Sequence, residues 1–494
     1  MDSDKRSSKE EYLPGYTSSA PTDCNDAAAA LRARRVLRKL DLRILPLIST
    51  FFVLSFLDRT NIGNAKIAGL PAALHLTGLQ YNLCSAIFFI PYCFFEVPSN
   101  IALKRFSPSK WIPTLMICWS AVMISMAFVK NFGGLLTARV FLGVTEAGLF
   151  PGATFYLCMW YPRAYQAQRV AIMSGSSSIA GAFGGLLAFA IEKLNGVGGL
   201  AGWSWIFLLE GLLTAVIALL AYVIMQDYPE RATFLTEDER AWLVDTLKTD
   251  NAGLSKELKW KFISQALCDP RSYLMVALFL FTIIPSYAFI LFLPTIISGL
   301  GFSASRAQLL SVPPNIAGAF FTILAGILAD RWRARGAFIL VGLIFPLVGY
   351  AVLYATSSPG AGYAGTIIAA CGIYPAVACI VSWTGANFAG EAKRAVVLAM
   401  VIGFGNLGGI ASSFIYRPQD SPRYHPGHAT CIACLCLSIA ICAYAMYDFA
   451  RLNHQKRERC AQEDIRLQLT AEDEIDTLGF GEMGDASPLY RYIV

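Results

Sequence analysis

The stretch TFFVLSFLDRTNIGNAKIAGL, residues 50–70, is an apolar run long enough to enter a bilayer, yet polar residues interrupt it near its middle. Asp58 and Arg59 stand side by side there, and Asn61 follows them. A charge inside a membrane costs several kcal/mol, on scales that start at about 2.5, unless it is paired or faces water. The stretch therefore predicts either a functional site within the membrane or an Asp58–Arg59 ion pair that only holds helices together.

The whole chain shares the apolar character of this stretch. Of its 494 residues, 55% are hydrophobic and 15% charged, and its mean hydropathy is +0.51. A soluble globular protein of this size is less apolar, so the composition indicates a helical protein that crosses a lipid bilayer many times. The net charge of +6 comes from short basic blocks between apolar runs, which favours membrane orientation over nucleic-acid binding. The 13 cysteines show no CxxC pair flanked by histidine, so we expect no metal and no cofactor.

Apolar segments of helical length occur in two groups of six, separated by a long charged connection. We count these segments at 44–70, 81–103, 111–129, 133–160, 169–192, 203–226, 273–298, 308–329, 337–356, 363–386, 395–416 and 428–450. The pattern predicts an all-α membrane protein with twelve transmembrane helices in two six-helix bundles. The corresponding regions are an N-terminal tail at 1–40, a first bundle at 41–226, a central loop at 227–270, a second bundle at 271–452 and a C-terminal tail at 453–494.

Basic residues predict the orientation of the chain. Lys and Arg are concentrated in alternate short loops, for example Lys104 and Arg105, and the first thirty residues lack the apolar core of a signal peptide. We therefore expect a multi-pass protein with both termini and the central loop in the cytosol.

The fourth span, TARVFLGVTEAGLFPGATFY, carries a second charged pair. Arg139 and Glu146 are seven residues apart, so they project from one face of a helix about two turns apart. They form either a second structural ion pair or part of a transport site. A carboxyl group kept from water favours its neutral form, and a nearby cation favours the charged form. Asp58, Glu146, Arg59 and Arg139 can thus exchange a proton against the engagement of an arginine.

The remaining polar positions within the spans give weaker indications. Glu96 and Glu210 are most simply packing or gating groups. No span of the second half has an ionisable residue at its centre, and its helices instead carry residues suited to stacking and hydrogen bonding. Of these we select Tyr287, Trp383 and Asn406 as candidate substrate contacts, together with Arg59 and Asn61 in the first half.

Several motifs resemble one known family. LDRTNIGNAKIAGL (57–70), FEVPSN (95–100), ARVFLGVTEAGLFPG (138–152) and WSWIFLLEGL (203–212) look like the anion:cation symporter family of the major facilitator superfamily. Within that family the sequence is most similar to the fungal allantoate permease group, which includes nicotinate, pantothenate and biotin permeases. GILADRWRAR (326–335) also matches the superfamily signature after the eighth span. In that signature Gly326 lets helices approach, Asp330 caps or pairs, and Arg331 and Arg335 stay in the cytosol.

The resemblance implies roles for individual residues. Asp58 and Glu146 would exchange the coupling proton, Arg59 would engage the carboxylate of the substrate, and Arg139 would hold or release the two acids. Asn406 falls where related symporters place a polar substrate contact. The expected function is secondary active uptake of a small organic carboxylate with protons, by alternating access, in the plasma membrane. We expect a monomer whose partners are this anion, protons and the lipid bilayer.

Two other functions remain open from the sequence: proton-driven efflux and a membrane-embedded sensor that binds a nutrient without transporting it. Proton-driven efflux of a drug or secondary metabolite uses the same fold, but such exporters usually have a Gly-Pro-rich signature in the fifth span. Residues 174–185, SGSSSIAGAFGG, contain no proline, which favours uptake without excluding export. An enzyme is not expected, since no pairing of nucleophile and base and no metal-ligand spacing is present.

Overall fold

A computed structural model of the chain describes residues 24–252, 260–332, 334–388, 391–462 and 490–493. These residues form helices and turns, with no β-strand among them. Helices satisfy their own backbone hydrogen bonds, which is what a segment surrounded by lipid requires.

The first half begins with the helix α1 and continues through six spans, of which the second and the fourth are each broken into two helices. The helices are α1 (Cys24–Arg43), α2 (Leu45–Ile67), α3 (Leu70–Ala73), α4 (Gly78–Ala86), α5 (Phe89–Arg105), α6 (Pro108–Met126), α7 (Phe132–Glu146), α8 (Leu149–Trp160), α9 (Arg163–Glu192) and α10 (Gly202–Ile224).

The central connection and the second half are also built from helices. They contain α11 (Glu237–Ala252), α12 (Trp260–Cys268), α13 (Pro270–Gly299), α14 (Ala304–Leu310), α15 (Val312–Trp332), α16 (Arg335–Ala355), α17 (Pro359–Asn387), α18 (Glu391–Asn406), α19 (Gly408–Ser413) and α20 (His425–Gln462). Short 3₁₀ turns lie at Val197–Gly199, Pro229–Arg231 and Pro418–Asp420.

Eleven helical segments within the described residues are long and apolar enough to cross a membrane. The remaining predicted span, at 111–129, falls on α6, whose 19 residues include Ser109 and Lys110 in the first turn. Those polar residues lower the mean hydropathy of α6, which nevertheless packs along α10 inside the first half. The predicted all-α architecture is confirmed.

The two halves meet closely along α2 and α13 and along α9 and α15. At Gly63 in α2 a Cβ would lie 2.3 Å from the carbonyl oxygen of Leu291, so only glycine allows this approach. Gly181 and Gly185 of α9 face the second half in the same way, against Asn315 and Ser311. Small residues thus allow the two bundles to approach closely near the C-terminal end of α2 and along α9.

The helix α1 is attached to the central connection by charged contacts. Lys39 Nζ donates to Glu239 Oε2 at 2.7 Å, and Arg169 Nη2 of α9 lies 2.7 Å from Asp41 Oδ2. The hydrogen bonds from Lys39 lower the pKa of Glu239 in α11. These contacts join α1, α9 and α11.

Candidate functional site

Arg59 lies near the middle of α2, at the interface between the two halves, and is 4% exposed. Its guanidinium carbon is 5.0 Å from the ring centres of Phe56 and Phe88 and 4.7 Å from that of Tyr92. Aromatic faces stabilise a cation that has lost its water. Arg59 is therefore a desolvated charge held in an aromatic cage.

Glu146 is the carboxylate that pairs with Arg59. Its Oε1 lies 2.8 Å from Arg59 Nη2 and 3.3 Å from Arg59 Nε, and it also accepts a hydrogen bond from Ser55 Oγ. Glu146 is fully buried, and its other oxygen, Oε2, has no hydrogen-bond partner among the described residues. One oxygen thus takes all the donors while the other stays available.

The same guanidinium reaches the second half of the protein. Arg59 Nη1 donates to Tyr287 Oη at 3.3 Å, and Tyr287 Oη donates to Asn406 Oδ1 at 3.1 Å. Tyr287 comes from α13 and Asn406 from the end of α18. Arg59, Glu146, Tyr287 and Asn406 form one chain of contacts across the two bundles, which we call the central cluster.

Asp58 does not belong to the central cluster, although it is the neighbour of Arg59 in sequence. Consecutive residues of a helix point in different directions. Asp58 Oδ2 accepts hydrogen bonds from Trp119 Nε1 at 3.0 Å and from Thr214 Oγ1 at 3.1 Å. The Asp58–Arg59 ion pair considered from the sequence is therefore wrong, because Arg59 turns toward Glu146 and Asp58 toward α6 and α10.

Arg139 lies on α7, which begins after Asn131 has capped it by accepting from the backbone nitrogen of Gly134 at 2.8 Å. Its side chain is 1% exposed and lies within electrostatic range of Glu146 and Arg59. Its Nε and Nη1 make no hydrogen bond to any residue that the structure describes. The second predicted pair, Arg139 with Glu146, is thus not formed in this conformation, because Arg59 holds Glu146.

Asn61 and Glu210 form a separate contact. Asn61 Nδ2 donates to Glu210 Oε2, and both side chains are buried. The hydrogen bond places Asn61 at α10 and away from the central cluster, so the structure does not support the predicted substrate contact of Asn61. Glu210 was predicted as a packing or gating group, yet it stands four residues before Thr214 on the face that receives Asp58.

Glu96 lies at the edge of the central cluster. Its side chain, on α5, is partly exposed and within electrostatic range of Arg59, but no ion pair joins the two among the described residues. The predicted gating role of Glu96 stays a prediction.

The signature after the eighth span gives a mixed result. Gly326 is exposed, and a Cβ added there would meet no atom within 4 Å, so this glycine does not bring two helices together in this conformation. Arg335 Nη1 donates to the carbonyl of Ser382 at 2.9 Å, and Arg331 is exposed. The side chain of Asp330 lies outside the described part of the chain.

Trp383 is far from the central cluster and holds the C-terminal segment instead. Its Nε1 donates to the carbonyl of Ile493 at 2.7 Å, and Asn387 exchanges two hydrogen bonds with the backbone of Ile493, at 2.7 and 2.9 Å. The ring of Tyr492 stacks on Phe449 with centroids 5.0 Å apart. In this conformation Trp383 anchors the tail between α17 and α20, and its predicted substrate contact stays a prediction.

We expect Asn387→Ala to lower the thermal stability of the purified protein, because it removes both hydrogen bonds to Ile493. Each such bond contributes about 1 kcal/mol. In a chain that ends at Leu489 the same substitution should have almost no effect, since its partner is gone. Melting curves of the four proteins in detergent measure this difference. Equal losses in the full and shortened chains would mean that the tail does not dock at Asn387.

Little open space lies between the two halves next to Thr60 and Asn64 of α2. A cavity of about 20 Å³ lies between the halves, lined in part by Thr60, Asn64 and Asn315. This volume is enough for about one water molecule and too small for an organic acid. Lys66, two residues beyond Asn64, is covered by the rings of Tyr81 and Phe292 at 4.8 and 4.7 Å. In this conformation Glu146 engages the guanidinium of Arg59.

Comparison with known proteins gives consistent matches over most of the chain. The family model described as Major Facilitator Superfamily matches residues 48–413. An uncharacterised transporter of Schizosaccharomyces pombe is 36% identical over 428 residues, which cover 86% of this chain and 85% of the relative. The high-affinity nicotinic acid transporter of Saccharomyces cerevisiae is 30% identical, with coverage of 86% and 80%. A solved inward-facing, unoccupied bacterial homolog of the human lysosomal transporter Spinster has a TM-score of 0.62 at 19% identity, covering 81% of this chain and 95% of its own.

Proposed function

We propose that this chain, which belongs to the major facilitator superfamily of transporters, takes up a small organic carboxylate together with protons. The central cluster carries this proposal. A guanidinium that has lost its water, stands at the interface of the halves and already binds a carboxylate is suited to bind the carboxylate of a substrate. Glu146 occupies the place that we assign to that anion.

We assign the coupling proton to the carboxyl group of Glu146. While Glu146 is charged, it competes with the substrate for Arg59, at a distance of 2.8 Å. Protonation removes the charge of Glu146 and weakens its attraction to Arg59, which leaves donors of the guanidinium for the incoming carboxylate. Substrate and proton would thus bind together.

Arg139 gives the carboxylate of Glu146 a second position. The Nε and Nη1 atoms of Arg139 are buried without a hydrogen-bond partner among the described residues. The side chains of Arg139 and Glu146 lie on one face of α7. We propose that Glu146 moves from Arg59 to Arg139 when the substrate occupies Arg59. A buried cation without a partner is costly, so this exchange stabilises the loaded state.

The contact from Arg59 to Tyr287 and Asn406 connects substrate binding to the arrangement of the halves. A ligand shifts the balance between two conformations only by its difference in affinity for them. A carboxylate on Arg59 replaces contacts that now join α2, α13 and α18, so it changes the interface at which the bundles rock. We propose that this occurs in the plasma membrane, with both termini in the cytosol.

The substrate class that we propose first is an aromatic carboxylate such as nicotinate. Phe56, Phe88 and Tyr92 already surround Arg59, and rings of this kind can stack on a planar acid. The related yeast protein named as a nicotinic acid transporter supports the same choice.

Uptake measurements test the proposal. Cells that express the full chain should accumulate labelled nicotinate, allantoate, pantothenate or biotin more strongly when the medium is acidic, and a protonophore should remove the accumulation. Cells with the empty vector are the control. No accumulation of any of these anions, together with export of a cationic drug, would replace uptake by proton-driven efflux.

A further inference from the structure

Asp58 and Glu210 form a second buried acidic pair, on the side of α2 that faces away from Arg59. Asp58 Oδ2 is held by Trp119 Nε1 at 3.0 Å and by Thr214 Oγ1 at 3.1 Å. Glu210, one turn before Thr214 on α10, accepts from Asn61 Nδ2, and Asn61 lies one turn after Asp58 on α2. Asp58 is 0% and Glu210 1% exposed, so two carboxyl groups share one enclosed space between α2, α6 and α10.

Three acceptor atoms in this space have no hydrogen-bond partner among the described residues: Asp58 Oδ1, Asn61 Oδ1 and Glu210 Oε1. The indole, the hydroxyl and the amide each donate to a carboxyl oxygen, and none of them donates to these three acceptors. A buried acceptor that lacks a donor is destabilising. The site therefore lacks a hydrogen-bond donor.

The site also lacks a cation. Neither Asp58 nor Glu210 forms an ion pair within the part of the chain that the structure describes. The other charged group within electrostatic range of Asp58, Glu146 on α7, is another acid, and it is already paired with Arg59. Two buried negative charges without a counter-ion repel each other and are poorly solvated. A proton on one of the carboxyl groups removes a charge and supplies the missing donor at the same time.

We propose that Glu210 shares the proton expected at Asp58, so that the two carboxyl groups hold one proton between them at a site separate from Glu146. The proton comes from water on one side of the membrane and returns to water on the other, with no other bond formed or broken. Its role in uptake rests on the function proposed above, whereas its proton binding does not. Glu210 is then a proton-carrying residue rather than a packing group.

Infrared difference spectra of the purified full chain in lipid nanodiscs, recorded between acidic and alkaline buffer without substrate, test the site directly. A protonated carboxyl group has a C=O stretch that a carboxylate lacks. We expect the wild type to keep a buried carboxyl band at neutral pH and both Glu210→Gln and Asp58→Asn to lose it. Glu237→Gln, which changes an exposed carboxylate of α11, should leave the band unchanged. Glu210→Asp, which keeps a carboxyl group, should retain it.

The infrared band and the nicotinate transport are measured separately, so the shared proton and the proposed uptake can fail independently. A band that Glu210→Gln leaves intact, in protein that elutes as a single species from gel filtration, overturns the shared proton whether or not nicotinate is carried. In vesicles with a pH-sensitive dye inside, Glu210→Gln should lower the number of protons that enter per labelled nicotinate. An unchanged ratio in a variant that still transports would likewise overturn the role of Glu210.

Discussion

Glu146→Gln should abolish the part of the nicotinate accumulation that the proton of Glu146 drives. The amide keeps an oxygen that can accept from Ser55 and Arg59, but it cannot take up or release a proton. One pH unit corresponds to about 1.4 kcal/mol, or about tenfold accumulation for each coupled proton. In vesicles with a gradient of that size, the variant should accumulate about tenfold less nicotinate than the wild type, because one coupled proton is lost.

Exchange of labelled for unlabelled nicotinate distinguishes lost coupling from lost folding. The variant should still exchange, because exchange needs binding and reorientation of the halves but no net movement of protons. The exposed Glu237→Gln variant is the matched control and should accumulate as the wild type does. Accumulation by Glu146→Gln at the wild-type level would mean that the coupling proton is carried elsewhere.

The sequence contains enough information to predict the helices and one face of the site. Apolar length alone identifies the spans, since lipid leaves the backbone few alternatives. The spacing of Arg139 and Glu146 places both on one side of α7, because seven residues are close to two helical turns. These inferences depend on local geometry, which the sequence determines directly.

The partner of each charge depends on packing between distant segments. Helix geometry alone argues against an ion pair of the neighbours Asp58 and Arg59. It does not indicate that Glu146, on a different helix, takes Arg59, or that Asp58 faces Glu210 across α2 and α10. Trp383 shows the same limit: the sequence does not indicate that its indole donates to Ile493, which lies 110 residues away.

Arg59→Lys should weaken nicotinate binding even though it keeps the positive charge. The guanidinium donates from Nη2 and Nε to Glu146 and from Nη1 to Tyr287, so its planar fork spans both halves at once. An ammonium group is a compact charge that cannot present two parallel donors to a carboxylate. A hydrogen bond to a charged group contributes about 1.5–3 kcal/mol, so we expect half-saturation to need about 10- to 100-fold more nicotinate.

The concentration dependence of exchange in vesicles measures this change without the proton gradient. Arg417→Lys, at an exposed position of the second half, is the matched control and should leave half-saturation unchanged. Because lysine keeps the charge and its attraction to the aromatic rings, a large effect of Arg59→Lys isolates the two-point contact from electrostatics. Half-saturation at the wild-type concentration would show that the substrate carboxylate binds away from Arg59. The cluster of Arg59, Glu146 and Tyr287 would then only join the two halves.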